Sequence, residues 1–151
     1  LGTTGFNETE FNEILKISQD IPLLIAPNTS MGIAILKKII DQSKDAIKSA
    51  NSLKIYEKHH KNKKDSPSGT ALNLKDQLTD FLTGEEIEII SHREGNSPGE
   101  HALKISFEGE VLEISHKASD RSIFAIGAIL AGKWLKDKPS GSYTMQDIYS
   151  S

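Results

Sequence analysis

The sequence predicts an α/β chain of 151 residues, and three stretches carry that reading. Residues Leu53 to His60 alternate like a strand, with Leu53, Ile55, Glu57 and His59 on one face and Lys54, Tyr56, Lys58 and His60 on the other. The run Thr70 to Leu82 sets Leu74, Leu78, Phe81 and Leu82 at helical spacing. Ala102 to Phe107 and Val111 to His116 read as the arms of a hairpin around Glu108-Gly109-Glu110.

The remaining elements follow in chain order. Asn7 with Glu10 forms a capping box ahead of a short helix whose apolar stripe is Phe11, Ile14 and Leu15. Pro22 to Ala26 is a short, evenly apolar strand of the parallel-sheet kind. Ser30 caps a helix from about Met31 to Ser49, with Ile35, Leu36, Ile39, Ile40 and Ile47 facing inward. After the Leu53 strand, a polar loop leads into the Thr70 helix, which Thr83-Gly84 stops. Glu86 to His92 reads as a further strand. Ser122 to Leu135 is a helix rich in small residues (Ala125, Gly127, Ala128, Ala131, Gly132), a smooth surface suited to close packing. Asn96-Ser97-Pro98-Gly99 and Lys138-Pro139-Ser140-Gly141 read as exposed turns.

Composition narrows the function classes. A chain this long buries a real core, and 36% hydrophobic with 26% charged residues is ordinary globular composition. The absence of cysteine excludes a disulfide scaffold and suits a cytoplasmic setting. No apolar run reaches the length of a membrane span, so no membrane partner is expected. A net charge of −3, without aromatics interleaved among the lysines, argues against nucleic acid.

Chemistry concentrates in Glu57 to Ala71, which reads EKHHKNKKDSPSGTA. Ser68-Gly69-Thr70 puts backbone N–H groups and short hydroxyls at a helix N-terminus, where orphan donors and the helix dipole both attract an anion. Lys63 is within reach of the same anion, and a histidine beside it can supply a proton. Plainer readings stand beside this one. SPSGT is also an ordinary N-cap, and Lys58, Lys61, Lys63 and Lys64 also read as a solvated basic loop. His59 and His60 point to opposite strand faces, and without cysteine or an HExxH pattern no metal site is expected.

The string from Glu57 to Ala71 resembles the signature of the dihydrodipicolinate (4-hydroxy-tetrahydrodipicolinate) reductases of lysine and diaminopimelate biosynthesis. Other segments agree in order. Gly2-Thr3-Thr4-Gly5-Phe6 resembles the family's first Gly-Thr-Thr-Gly loop, and Ala26 to Gly32 its Ala-x-Asn-x-Ser-x-Gly loop. His116-Lys117-Ala118-Ser119-Asp120-Arg121 and Tyr143-Thr144-Met145-Gln146-Asp147 resemble two later elements, so the resemblance runs along nearly the whole chain.

The resemblance implies three parts. Residues 1–29 would be the end of a dinucleotide-binding Rossmann domain, and residues 30–121 a substrate-binding domain with a mixed sheet and flanking helices. Residues 122–151 would be a C-terminal helix and tail returning toward the Rossmann half. Because the chain starts at Leu1 and has no G-x-G-x-x-G fingerprint, it reads as the C-terminal portion of a longer protein. The implied reaction is reduction of a cyclic imine-type dicarboxylate by NADH or NADPH. His59 corresponds to the proton donor, and Lys63 binds a substrate carboxylate and stabilises charge developing on the ring. His60, Ser68, Gly69 and Thr70 are further substrate contacts. Gly2, Thr3, Thr4, Ala26, Pro27, Asn28 and Thr29 are implied to touch the cofactor, with Lys117, Arg121 and Phe124 near the cofactor or hinge. Glu57, on the face of His59, would orient a neighbour.

Two departures qualify the match. The family's longer Gly- and Arg-rich segment is largely absent between Arg93-Glu94-Gly95 and Gly99-Glu100-His101. That segment contributes to subunit contacts, so the homo-tetramer the resemblance implies lacks part of its interface here. Thr29 stands where a bulkier residue is common. Two rival readings remain: an anion-binding domain without the cofactor half, and a semialdehyde-type dehydrogenase. The second needs a nucleophilic cysteine that the chain lacks.

Overall fold

The computed structural model describes residues 1–82 and 86–150. In chain order the elements begin with α1 (Glu8–Ile17), β1 (Pro22–Leu24), α2 (Met31–Gln42) and α3 (Lys44–Ile47). Next come β2 (Ser52–His59), α4 (Gly69–Thr79), β3 (Glu88–Arg93), β4 (Glu100–Phe107) and β5 (Glu110–Lys117). The chain closes with α5 (Ser122–Leu135), β6 (Gly141–Tyr143) and a 3₁₀ turn at Asp147–Tyr149. Chain contacts divide it into two units, Leu1–Ile35 with Ser122–Ser151 and Leu36–Arg121. The division falls inside α2.

In the first unit β1 and β6 pair in parallel, with Leu24 opposite Tyr143. Leu1 lies along the other side of β1, its N-terminus donating to the Leu24 carbonyl at 2.6 Å and its carbonyl accepting from Ala26 at 2.9 Å. That is the bonding pattern of a parallel ladder. Leu24, Ala26, Ala34, Ala131 and Met145 form the core, with Trp134 and Tyr143 packed against it edge to face at 5.3 Å. The expected capping box closes α1, the Asn7 side chain accepting from Glu10 N–H at 3.0 Å and the Glu10 carboxylate from Asn7 N–H at 2.9 Å. The stripe expected on α1 is not buried, and Phe11 is exposed.

The second unit is built on a four-stranded mixed sheet in the order β3-β2-β4-β5. β2 pairs in parallel with β3 and antiparallel with β4, and β4 pairs antiparallel with β5. The face expected for β2 is the buried one, and Leu53, Ile55, Glu57 and His59 alternate with half-exposed neighbours. Opposite them on β4 stand Ile105, Leu103 and His101, and α4 contributes fully buried Ala71, Leu74 and Leu78. Each fully buried Leu or Ile contributes about 1.5–3 kcal/mol, which makes this end of the sheet a rigid apolar base. The β4–β5 hairpin turns at Glu108-Gly109, where Gly109 takes φ of +79°.

Four expectations change. The helix expected to run to Ser49 breaks at Ser43, which has φ −108° and ψ 13°, and continues only as the short α3. On α2 the buried residues are Ile33, Ala34, Leu36 and Ile40, while Ile35, on the opposite side of the helix, is 43% exposed. α4 ends at Thr79 with Asp80 as its C-cap, so Phe81 and Leu82 lie beyond it. The stop expected at Thr83-Gly84 lies outside the described residues. β3 starts at Glu88, two residues later than read from the sequence.

Candidate active site

Along the covered face of β2 the side chains run from apolar to ionisable, and this gradient makes the site. Glu57 is 1% exposed and His59 is 7% exposed, both beside the apolar layer of Ile55 and Leu103. A carboxylate so placed needs partners, since an unpaired buried charge is strongly unfavourable. Glu57 has several. His59 Nδ1 meets its Oε2, Arg93 Nη2 donates to its Oε1 at 2.7 Å, and the Ser68 backbone N–H approaches Oε1 at 3.3 Å. Strand register puts Arg93 there, because His59 pairs with Arg93 across the parallel β2–β3 ladder. Arg93 also donates to the carbonyls of Asp65 at 2.7 Å and His92 at 2.8 Å, tying the loop to the sheet edge. Burial alone would raise the Glu57 carboxyl, but hydrogen bonds led by that from Arg93 outweigh it and hold the group at about 2.

His101 completes the cluster. It stands opposite Glu57 on β4, and its ring meets that of His59 edge to face at 5.1 Å. Its Nε2 lies 3.2 Å from Ser68 Oγ, which also accepts from Ala71 N–H at 3.3 Å as the N-cap of α4. Nδ1 of His101 is buried with no hydrogen-bond partner among the described residues. Burial pushes His101 down to about 4, with His59 and His116 adding to the effect. Burial also lowers His59; Glu57 opposes that shift, while Lys63 and Arg93 reinforce it. Gly99, expected in an exposed turn, is buried here, and a Cβ on it would sit 2.9 Å from His59 Nε2.

The segment from His60 to Thr70 holds the residues expected to bind an anion. Lys63 is partly buried and pairs with Asp65 at 2.8 Å. His60 Nε2 lies 3.1 Å from Arg121 Nη2, and the His60 N–H donates to Ser97 at 2.9 Å. The Ser66–Pro67 peptide is cis. Ser68 is turned inward, its N–H toward Glu57 and its hydroxyl toward Ala71 and His101. Gly69 and Thr70 follow Ser68 as the first two residues of α4, at the helix end that attracts anions. His59, Lys63, Ser68, Gly69 and Thr70 come together around one end of β2. Arg93, His101 and Gly99 join them and were not singled out from sequence for this chemistry. Strand register places the first two, and no local pattern in the sequence marks it.

Glu57, His59 and His101 also offer three ligand-type atoms within 4.8 Å of one another. Arg93 already neutralises the carboxylate and His59 Nδ1 already engages it, so a cation would have to displace both. The chemistry fits a proton site better than a metal site.

The residues expected to face a cofactor lie in the first unit. Leu1 and β1 run parallel and side by side, so Gly2-Thr3-Thr4 and Ala26-Pro27-Asn28-Thr29 leave the ladder at the same, carboxyl end. Open α/β sheets bind nucleotides beyond the carboxyl ends of their strands, and this pair of loops fits such a group. Thr3, Thr4 and Pro27 are exposed, and Asn28 and Thr29 are half-buried. Thr29 Oγ1 donates to the Phe124 carbonyl at 2.7 Å, and a Cβ at Gly127 would lie 1.8 Å from the Thr29 carbonyl oxygen. A smooth α5 thus holds the second loop.

A family model described as dihydrodipicolinate reductase, C-terminus, matches residues 32–149. Curated relatives named 4-hydroxy-tetrahydrodipicolinate reductase from Colwellia psychrerythraea and Aquifex aeolicus are each 37% identical over 98% of this chain. One of the same name from Pelagibacter ubique is 36% identical. The chain spans 62% of the length of the first two relatives and 65% of the third. A solved structure described as dipicolinate-bound dihydrodipicolinate reductase from Paenisporosarcina sp. TG-14 superposes with a TM-score of 0.80. It is 20% identical and covers 97% of this chain, which covers 63% of it.

Proposed function

The chain belongs to the dihydrodipicolinate reductase family, matching its C-terminal model over residues 32–149, and on that premise we propose that it is the substrate-binding portion of a 4-hydroxy-tetrahydrodipicolinate reductase. In this reading residues 30–121 bind a cyclic dicarboxylate, and residues 1–29 with 122–151 meet the nicotinamide end of NADH or NADPH. The observation that carries it is the buried Glu57–His59–Arg93 cluster beside Lys63 and the α4 N-terminus. A proton source and an anion cradle are what reduction of a charged imine ring requires. The relative bound to dipicolinate, a flat dicarboxylate, supports that class of ligand.

When bound, the nicotinamide cofactor supplies the hydride. The protein's own groups do the rest. Lys63 leaves Asp65 to pair with a substrate carboxylate and stabilises negative charge developing on the ring. Gly69 and Thr70 receive a carboxylate at the positive end of α4, with Ser68 as the cap that holds this turn in place. His60, positioned by Arg121, lines the same loop. His59 delivers the proton, an imidazole being able to charge before transfer and return to neutral after it. Gly2, Thr3, Thr4 and Ala26 to Thr29 orient the nicotinamide. We assign the reaction to lysine and diaminopimelate biosynthesis in the cytoplasm, and the assembly to a homo-oligomer, a tetramer by family resemblance. Exposed Val111 and Leu112 on edge strand β5 support the latter. Among the described residues no helix is long and apolar enough to cross a membrane.

The test is calorimetric titration of the chain with pyridine-2,6-dicarboxylate beside a Lys63→Ala control. Binding that the control weakens about tenfold or more, the worth of one charge-assisted hydrogen bond, is expected. A folded chain that binds equally with and without Lys63 would remove Lys63 from the cradle. No binding at all would favour a chain that keeps the fold without the ligand.

A further inference from the structure

We propose that Glu57 is a positioning residue that locks neutral His59 in the tautomer protonated at Nδ1, leaving Nε2 as the one ring atom that takes up and releases a proton. The inference deepens the reading of His59 as proton donor and rests on that reading for its functional meaning, though not for its geometry.

An ionised carboxylate only accepts hydrogen bonds. Oε1 of Glu57 faces two donors that cannot reverse roles, the Arg93 guanidinium at 2.7 Å and the Ser68 backbone N–H at 3.3 Å. Oε2 meets His59 Nδ1, and because a carboxylate oxygen only accepts, that nitrogen must carry hydrogen for the contact to be favourable. Nε2 lies instead beside Gly99, where a Cβ would sit 2.9 Å from it. The charged and titratable groups facing His59 are Glu57 on its own strand, Arg93 on β3, His101 on β4 and Lys63 from the following loop. Among these Glu57 is the acceptor at Nδ1.

A sharp consequence follows for Glu57→Gln. Arg93 and Ser68 both demand an oxygen, so the amide would set its carbonyl toward them and its NH₂ toward His59. Two donors would then face each other at Nδ1 unless the imidazole gives up that hydrogen. The variant should therefore invert the tautomer, moving the proton to Nε2 and removing the acceptor that recharges the ring. Turning the amide the other way would set its NH₂ against both Arg93 and the Ser68 N–H, a worse arrangement because two buried donors would lose their acceptor.

The experiment is a long-range ¹H–¹⁵N correlation spectrum of the ¹⁵N-histidine-labelled chain, in which protonated and unprotonated ring nitrogens resonate far apart. Five histidines make assignment by single substitution practical. In the wild type the neutral form of His59 should show hydrogen on Nδ1 and none on Nε2. In Glu57→Gln the two nitrogens should exchange character, with His92, exposed and distant in role, unchanged as a fold control. The titration midpoint of His59 should also move lower, since a carboxylate that favours the charged ring is gone. Hydrogen on Nε2 in neutral wild-type His59, or an unchanged tautomer in a folded Glu57→Gln, overturns the proposal. If that variant does not fold, the wild-type spectrum decides alone. Failure of the chain to bind pyridine-2,6-dicarboxylate would remove the reductase reading and leave the tautomer result standing.

Discussion

Arg93→Met tests whether the ion pair at the centre of the site holds the second unit together. Met keeps the aliphatic reach of the side chain and removes the guanidinium, leaving Glu57, 1% exposed, without its cation. Breaking a buried pair from one side costs about 3–5 kcal/mol, because the remaining charge stays in low dielectric. A second route gives a similar figure. The Glu57 carboxyl is held at about 2 against an ordinary 4.5, and a displacement of that size is worth roughly 3 kcal/mol at neutral pH. His59 shares in that displacement, so about 3 kcal/mol is the working expectation for Arg93. The sign with pH is definite. A carboxyl depressed in the folded state contributes stability above its unfolded value, near 4.5, and loses it as pH falls through 4.5 toward 2. The wild-type advantage over Arg93→Met should be widest near neutrality and narrow as Glu57 protonates. About 1–2 kcal/mol should persist at the acid end from the lost bonds to Asp65 and His92. Urea unfolding followed by far-UV circular dichroism from about pH 7 to about pH 2.5 reads this directly. Fluorescence of Trp134, in the first unit, follows that unit separately. A difference below about 1 kcal/mol at neutral pH, or one constant across the series, would refute the reasoning.

His101 should impose a separate acid limit. It is held at about 4 by burial, below its ordinary 6.5, so the neutral form is the folded one and stability falls as pH drops from 6.5 to 4. The loss amounts to at most roughly 3 kcal/mol, and His101→Gln should flatten a plot of urea midpoint against pH in that window. A slope there unchanged by the substitution would assign it to other groups. Gly127→Ala should lower the Tm although alanine is the better helix former by about 1 kcal/mol. Its Cβ would lie 1.8 Å from the Thr29 carbonyl oxygen, so the loop carrying Asn28 and Thr29 or the helix must move. Overpacking of that kind costs typically about 1–3 kcal/mol, and a raised Tm would show that the approach is not tight.

The sequence by itself determined what depends on near neighbours along the chain. The alternation of Leu53, Ile55, Glu57 and His59 is a period of two, and it marked the buried face of β2 before any partner strand was known. Asn7 with Glu10 and Ser68 with Ala71 are caps closed within a single turn, and Glu108-Gly109 is a hairpin turn closed within two residues. Family motifs added the chemistry that the resemblance implies for Lys63 and the two histidines, again from contiguous residues. Only the tertiary structure decided which groups complete that chemistry. Arg93 reaches Glu57 across 36 residues and His101 reaches Ser68 across 33, both through strand register, which no local pattern encodes. The same register turned Ser68 inward and buried Gly99 against His59, where a turn-like sequence had suggested exposure. Ile35 and the break at Ser43 likewise follow from where packing is available, since helical periodicity names a stripe but not what covers it. A buried carboxylate is tolerated only where distant donors converge on it, so the residues that make Glu57 possible had to be found in space.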